Sequence, residues 1–161
     1  MSITQVLASQ FAFAHGATLR NLDGISDAEA EMFPQPAGNS INWIAGHVLV
    51  SRERLLSRFG HAGSLPPAAV DYYVRGAKPS GKPPVPLAEL KAGLVRSQEA
   101  LQNVLATVDE ATLAAAAPFS PLPDPNETIL SLLGKFVIHD SYHSGQMGIA
   151  RRLLGKEGAI A

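Results

Sequence analysis

Two histidines, His139 and His143, stand four residues apart in the segment HDSYHSGQ near the C-terminal end of the sequence. In an α-helix, side chains four residues apart lie on the same face, one turn from each other. Apolar residues continue this face on both sides of the pair, so the imidazoles occupy positions where core residues are expected. Two imidazoles in this arrangement can bind one metal ion.

A third histidine, His47, lies on the apolar face of another predicted helix, between Ile44 and Ser51. A solitary buried imidazole needs a polar partner to offset its desolvation. Three neutral imidazoles leave a fourth position open for water, which is typical of catalytic zinc. There are two alternatives: His47 is a core histidine whose ring nitrogens are hydrogen-bonded, and the two histidines of the C-terminal segment lie on the surface with this spacing by chance. Three core-facing histidines on two long helices favour the metal site.

Other polar and aromatic residues are predicted to have supporting or structural roles. Gln146 lies one turn beyond His143 on the same face, where it can orient a ligand or a bound water. Tyr142 is a second candidate beside the ligands, although it is rotated away from their line. Trp43 is predicted to be a core residue. His15 is predicted to be a surface or rim residue, with contact to the site as its alternative, and Arg54 a rim residue, with contact to an anionic substrate group as its alternative. His61 is predicted to cap a helix end, and Asp140 to lie off the ligand line.

The composition restricts the classes of function. The chain lacks cysteine, so a metal must be bound by His, Asp, Glu or water, and a cysteine nucleophile is excluded. Its 13 Lys and Arg residues nearly balance 14 Asp and Glu residues without a basic run, which argues against a nucleic-acid partner. The zinc-protease motif H-E-x-x-H and a nucleophile elbow are both missing. No stretch has the length of a membrane span or the pattern of a leader peptide, so a cytoplasmic protein without a membrane partner is predicted.

Prolines divide the chain into helical segments. The 12 prolines form three clusters, and the four long segments between them have helical periodicity. The sequence therefore predicts an all-α fold, a four-helix bundle in a single domain over residues 1–161, with a long Pro-rich crossover at 60–86 between the second and third long helices. Four long helices are predicted: the first covers residues 2–22, the second begins after Asn39 or Ser40 and ends at 60, the third runs from Pro86 to 108, and the fourth begins after Asn126 and ends at 155. A short helix is predicted at 27–33, where Ser26 and Glu29 have the spacing of a capping box.

The segments IHDSYHSGQM, at residues 138–147, and NWIAGH, at residues 42–47, resemble the DinB-like, or DinB/YfiT, family of metal-dependent bacterial bundle proteins. Residues 138–147, IHDSYHSGQM, resemble the family's pattern of a histidine, three residues and then His-Arg-Gly-Gln. Residues 42–47, NWIAGH, are similar to the tryptophan-containing helix that carries the family's first metal histidine. The resemblance covers almost the whole chain and implies His47, His139 and His143 as ligands, with water completing the metal. Ser144 stands where the family often has Arg, which removes a charge near the site.

The resemblance also implies a bundle whose second and third long helices run parallel and which forms homodimers. Characterised relatives include thiol-dependent S-transferases and a mycothiol-dependent isomerase, in which the metal engages a low-molecular-weight thiol. A divalent metal favours the thiolate at neutral pH, and the thiolate then attacks an electrophile. The expected function is thus a thiol-dependent transferase with Zn, or alternatively Ni, and a small-molecule electrophile as substrate. The alternatives are a metal-dependent hydrolase at the same site and a non-catalytic dimeric binding or structural bundle.

Overall fold

Helices make up the regular structure of residues 1–77, 79 and 81–160, which the computed structural model describes, apart from an isolated antiparallel bridge between Ala116 and Thr128. Four long helices and three short ones lie in these ranges. The all-α prediction is confirmed, and each predicted long segment contains one long helix. The helices are α1 Ile3–Leu22, α2 Asp27–Glu31, α3 Ile41–Leu56, α4 Pro67–Tyr73, α5 Leu87–Thr107, α6 Glu110–Ala114 and α7 Ile129–Leu153, and a 3₁₀ turn, Ser57–Phe59, extends α3.

Side-chain caps determine where several helices begin. The predicted capping box at Ser26 is present, and similar boxes begin α1 at Ser2 and α7 at Thr128. Helix α7 begins two residues later than predicted, because the backbone N–H of Asn126 bonds to the Asp124 carboxylate in the preceding turn. Helix α2 ends at Glu31, before the predicted position 33. Position 33 directly precedes a proline, and a residue in that place disfavours the helical conformation.

The long helices pack as a four-membered bundle in which α1 and α3 each contact both α5 and α7. Contacts along α3 and α5 show that these two helices run parallel. Asn42, at the start of α3, bonds to the carbonyl of Val85 just before α5, and Arg52, further along α3, bonds to the carbonyl of Leu94 within α5. The connection between them therefore crosses the length of the bundle, as predicted, and it contains α4, which packs against α3.

The buried interior consists of two apolar clusters separated by polar residues. One cluster, at the end of the bundle where α3 begins, includes Ile44, Leu90 and Met147. The other, at the opposite end, includes Phe11 and Leu132. Between the two clusters, every long helix contributes buried polar side chains, namely Thr18 of α1, Arg52 of α3, Ser97 and Gln98 of α5, and Asp140, His143 and Ser144 of α7.

Gly46 allows α4 to lie close to α3. A Cβ at Gly46 would lie 2.3 Å from the ring of Tyr73, which is fully buried and whose hydroxyl donates to Asn42 Oδ1 at 2.8 Å. Overpacking against this fixed ring costs about 1–3 kcal/mol, more than the ~1 kcal/mol by which Ala exceeds Gly in helix propensity. We therefore expect Gly46→Ala to lower the free energy of unfolding by up to about 2 kcal/mol in urea denaturation.

Gly16 in α1 provides the matched control for this substitution. A Cβ at Gly16 meets no atom within 4 Å, so Gly16→Ala should stabilise the protein by up to ~1 kcal/mol through helix propensity alone. Equal effects of the two substitutions would contradict the packing argument.

Candidate metal centre

Three imidazoles from two antiparallel helices meet at one point. His47 of α3 and His139 and His143 of α7 each offer a ring nitrogen, and the three nitrogens lie within 4.8 Å of one another. The Nε2 atoms of His47 and His139 are 3.2 Å apart. Two nitrogens bound tetrahedrally to one zinc ion at 2.0–2.1 Å would be roughly 3.3 Å apart. The structure thus brings together the three histidines that the sequence singled out, in a geometry that could hold a metal ion.

Each of these imidazoles bonds through Nδ1 to a separate oxygen. A neutral imidazole has a single N–H, so these bonds put the proton on Nδ1 and leave the lone pair on Nε2. The ring nitrogens that are not engaged in these bonds converge, and a cation between them would be bound by their lone pairs. The acceptors are the Tyr73 carbonyl for His47 (2.8 Å), Asp140 Oδ1 for His139 (3.2 Å) and Gln146 Oε1 for His143 (2.8 Å).

Burial keeps two of the imidazoles neutral. Desolvation lowers the pKa of His47, and desolvation together with the neighbouring His139 and His47 lowers the pKa of His143 to about 4. At pH 7 a metal ion therefore competes with few protons at these nitrogens. Trp43, predicted to be a core residue, is buried and stacks on His47 with the ring centroids 4.8 Å apart and the planes 7° from parallel, which fixes the orientation of the imidazole.

Asp140 has a role that its position off the ligand line did not predict. Its Oδ1 accepts the bond from His139, and its Oδ2 accepts a bond of 2.7 Å from Arg52 Nε, with both side chains fully buried. A carboxylate behind a ligating histidine fixes the ring and raises its basicity. The sequence does contain a signal for Arg52, since it continues the spacing of the buried Val48 and Leu55 along α3, where a charged residue must be paired.

The same arginine connects the centre to α1. Arg52 Nη1 lies 3.3 Å from His15 Nδ1 and donates to the carbonyl of Leu94 at 3.4 Å. His15 was predicted to be a rim residue; it is half-buried and contacts the interior polar layer. Burial, and then the charge of Arg52, lower the pKa of His15 to about 4. The imidazole of His15 is therefore neutral at pH 7 and accepts a bond from the guanidinium.

The depressed pKa of His15 predicts a loss of stability in mild acid. Below about pH 6.5 an unfolded chain binds a proton at this residue, whereas the folded chain does so only near pH 4. Between these values the unfolded state binds more protons, so the free energy of unfolding falls as the pH falls. We expect the Tm of metal-free His15→Gln protein to decrease less between pH 7 and pH 4.5 than that of the unsubstituted protein. Thermal denaturation tests this, with the exposed His61→Gln as control; parallel curves for all three proteins would contradict it.

The three histidines line a cavity of about 550 Å³. The cavity is bounded by α3, α7 and the segments that follow α4 and α6, and its size is that of a small-molecule site. Tyr142 is largely exposed at its rim, where its hydroxyl accepts a bond of 3.0 Å from Gln146 Nε2. His61 and Ser144 do not line it, and the carbonyl of Ser144 instead accepts a bond from Asn21 of α1. Its aromatic lining residues are Trp43, Phe119, Phe136 and Tyr142.

A bundle of four long helices with three converging imidazoles in a cleft defines a class of helical proteins suited to metal binding. The chain belongs to the DinB superfamily, whose family model matches residues 10–147, a range that contains all three histidines. This match confirms the resemblance inferred from the sequence. No curated protein matches the chain significantly.

A solved structure is similar over nearly the whole chain. It is the crystal structure of a conserved protein from Enterococcus faecalis, with a TM-score of 0.72 and 21% sequence identity, covering 97% of this chain and 99% of that chain. At this identity the likeness concerns the fold alone. Among the residues that the structure describes, no helix combines the length and apolar character needed to cross a membrane.

Proposed function

We propose that this protein binds one divalent metal ion through His47, His139 and His143. We propose further that it is a thiol-dependent S-transferase that uses this ion. The observation that carries the proposal is the convergence of three Nε2 lone pairs whose rings are each held by a bond at Nδ1. Three imidazoles with an open fourth position suit Zn, with Ni as the alternative. We further propose a cytoplasmic protein with a single domain over residues 1–161.

The residues around the centre would hold the ligands and shape the reaction site. When bound, a divalent ion would favour the thiolate form of a thiol in the open position at neutral pH. Tyr73, Asp140 and Gln146 keep the three imidazoles oriented, so little reorganisation is needed on binding. The aromatic walls of the cavity would receive the apolar part of an electrophile. Transfer forms a sulfur–carbon bond as the bond from that carbon to its leaving group breaks; the leaving group departs with the electron pair, and the thiol proton passes to solvent.

Hydrolysis by a bound water is the second candidate, because the open position also accepts water. Hydrolysis benefits from a general base near that water, yet the described residues that line the cavity include no carboxylate. The buried carboxylate behind His139, Asp140, is paired with Arg52. This arrangement favours transfer of a thiol over hydrolysis.

A screen with and without metal tests the proposal. Zinc-loaded and metal-free protein would be incubated with a panel of low-molecular-weight thiols and the electrophile 1-chloro-2,4-dinitrobenzene, with the thioether product measured by absorbance. We expect turnover that requires both the metal and a thiol. Metal-dependent hydrolysis of esters in the absence of every thiol would favour the hydrolase, and a bound metal with no turnover on any pair would favour a non-catalytic bundle.

We also propose that two copies of the chain form a homodimer through the outer surface of α1 and α7. Phe13 of α1 is 70% exposed and Ile149 of α7 is 61% exposed, and both line the same surface groove. Large exposed apolar side chains that lie together are typical of interaction sites. Phe13→Glu should convert a dimer to a monomer in analytical ultracentrifugation, and a wild-type monomer at all concentrations would exclude this interface.

A further inference from the structure

The cavity above the metal centre is lined by cations. Arg54, Arg75 and Lys135 line it, and no Asp or Glu does so among the described residues. Like charges gathered on the walls of a cleft raise the local concentration of ligands of opposite charge. The wall charges therefore point to an anionic ligand, independently of the metal.

Lys135 is already neutralised by acidic partners. Its ammonium contacts Asp124 at 3.2 Å and also contacts the carboxylate of Glu127. The bond from Lys135, together with bonds from Ser120 and Ser131, lowers the pKa of Glu127 to about 2, so this carboxylate is ionised at neutral pH. Lys135 thus stabilises the segment between α6 and α7 and leaves the two arginines as the charges that can receive an anion.

Both arginines contact this same segment. The Arg54 guanidinium carbon lies 4.4 Å from the centroid of the Phe119 ring, and Arg75 Nη1 donates to the carbonyl of Pro121 at 3.0 Å. Neither arginine forms an ion pair with another residue in the part of the chain that the structure describes. Each guanidinium therefore keeps N–H groups for a ligand.

The segments that form the metal centre also carry these arginines. Arg54 is seven residues after His47 on α3, which places it on the same face, two turns away. Arg75 follows Tyr73 by two residues, and the Tyr73 carbonyl is the acceptor that holds His47.

We propose that Arg54 and Arg75 bind a carboxylate group of the ligand whose other end reaches the metal, so that the site selects carboxylate-bearing thiols over neutral ones. The planar guanidinium fork pairs with a carboxylate through two parallel bonds, and two such forks define where the carboxylate lies. The choice of a thiol rests on the proposed function, whereas the choice of a carboxylate rests on the two arginines.

A spectroscopic titration tests this selectivity without requiring turnover. Co(II)-loaded protein would be titrated with 3-mercaptopropionate and with its neutral analogue 3-mercaptopropionamide, following the thiolate-to-cobalt charge-transfer band. We expect the acid to bind at least tenfold more tightly than the amide. The double variant Arg54→Gln, Arg75→Gln should lose this preference, and its affinity for the amide should equal that of the unsubstituted protein. Arg58→Gln, an exposed arginine that does not line the cavity, should keep the preference.

A second pair of probes separates this proposal from the proposed function. The Co(II) protein would be titrated calorimetrically with 3-phenylpropionate and 3-phenylpropionamide, which contain no sulfur. If no thiol gives a charge-transfer band but 3-phenylpropionate binds in an arginine-dependent way, the carboxylate site is supported and the thiol chemistry fails. If thiols bind the metal but the acid binds no more tightly than the amide, the carboxylate site is overturned and the thiol chemistry stands. The same conclusion follows if the acid binds more tightly than the amide even in the double variant. Failure of both acids to bind overturns it as well.

Discussion

His143→Ala should weaken zinc binding by about a hundredfold or more while the helical fold is retained. Zinc sites with four ligands contribute roughly 10–16 kcal/mol, or about 3 kcal/mol for each ligand, and each 1.4 kcal/mol is about a tenfold change in affinity. The imidazole of His143 supplies one converging lone pair and makes one bond, to Gln146 at the rim of the cavity. Its removal therefore affects the metal more than the fold. Metal content after dialysis, by elemental mass spectrometry, and competition with a chromophoric chelator would measure the loss.

The other two histidines provide the comparison. His47→Ala and His139→Ala should lose the ion as well, because each supplies one of the three nitrogens. His61→Ala removes an exposed histidine that does not line the cavity and should retain about one ion per chain, as the unsubstituted protein should. Retention of the ion by any of the three ligand variants would exclude this set of ligands, and loss in His61→Ala would point to a different site.

Arg52→Met should lower the free energy of unfolding of the metal-free protein by about 3–5 kcal/mol. The substitution leaves the carboxylate of Asp140 fully buried with only the bond from His139, and an uncompensated buried charge is strongly unfavourable. Urea denaturation followed by circular dichroism would measure the change. Arg58→Met, at an exposed position six residues later, should change stability by less than about 0.5 kcal/mol.

The double variant Arg52→Met, Asp140→Val separates the structural role of the pair from its role at the metal. Replacing both members of a buried ion pair by apolar residues is often neutral, so most of the lost stability should return. The His139 ring would still lack its carboxylate partner, and we expect metal affinity about 10–100-fold below that of the unsubstituted protein. A double variant that is stable and binds metal normally would show that Asp140 does not position His139. A cost below about 1 kcal/mol for Arg52→Met alone would contradict the desolvation argument.

The sequence by itself determined the four long helices and one pair of the histidines. Proline clusters and capping residues such as Ser26 limit where helices can run, and these signals act within a few residues of the chain. The spacing of His139 and His143 is equally local, since any helix places residues four apart on one face. These features needed no knowledge of how the helices pack.

The tertiary structure decided what surrounds that pair. His47 and His139 are 92 residues apart in the sequence, and the distance between their rings depends on the order and register of α3 and α7. Helix α3 is buried around its whole circumference over residues 41–50, so apolar periodicity in this stretch could not show which of its faces meets α7. The Tyr73 carbonyl that holds His47 likewise comes from α4, which Gly46 allows to lie close. Local patterns determine which residues share a helix face, whereas packing between distant segments determines which faces meet.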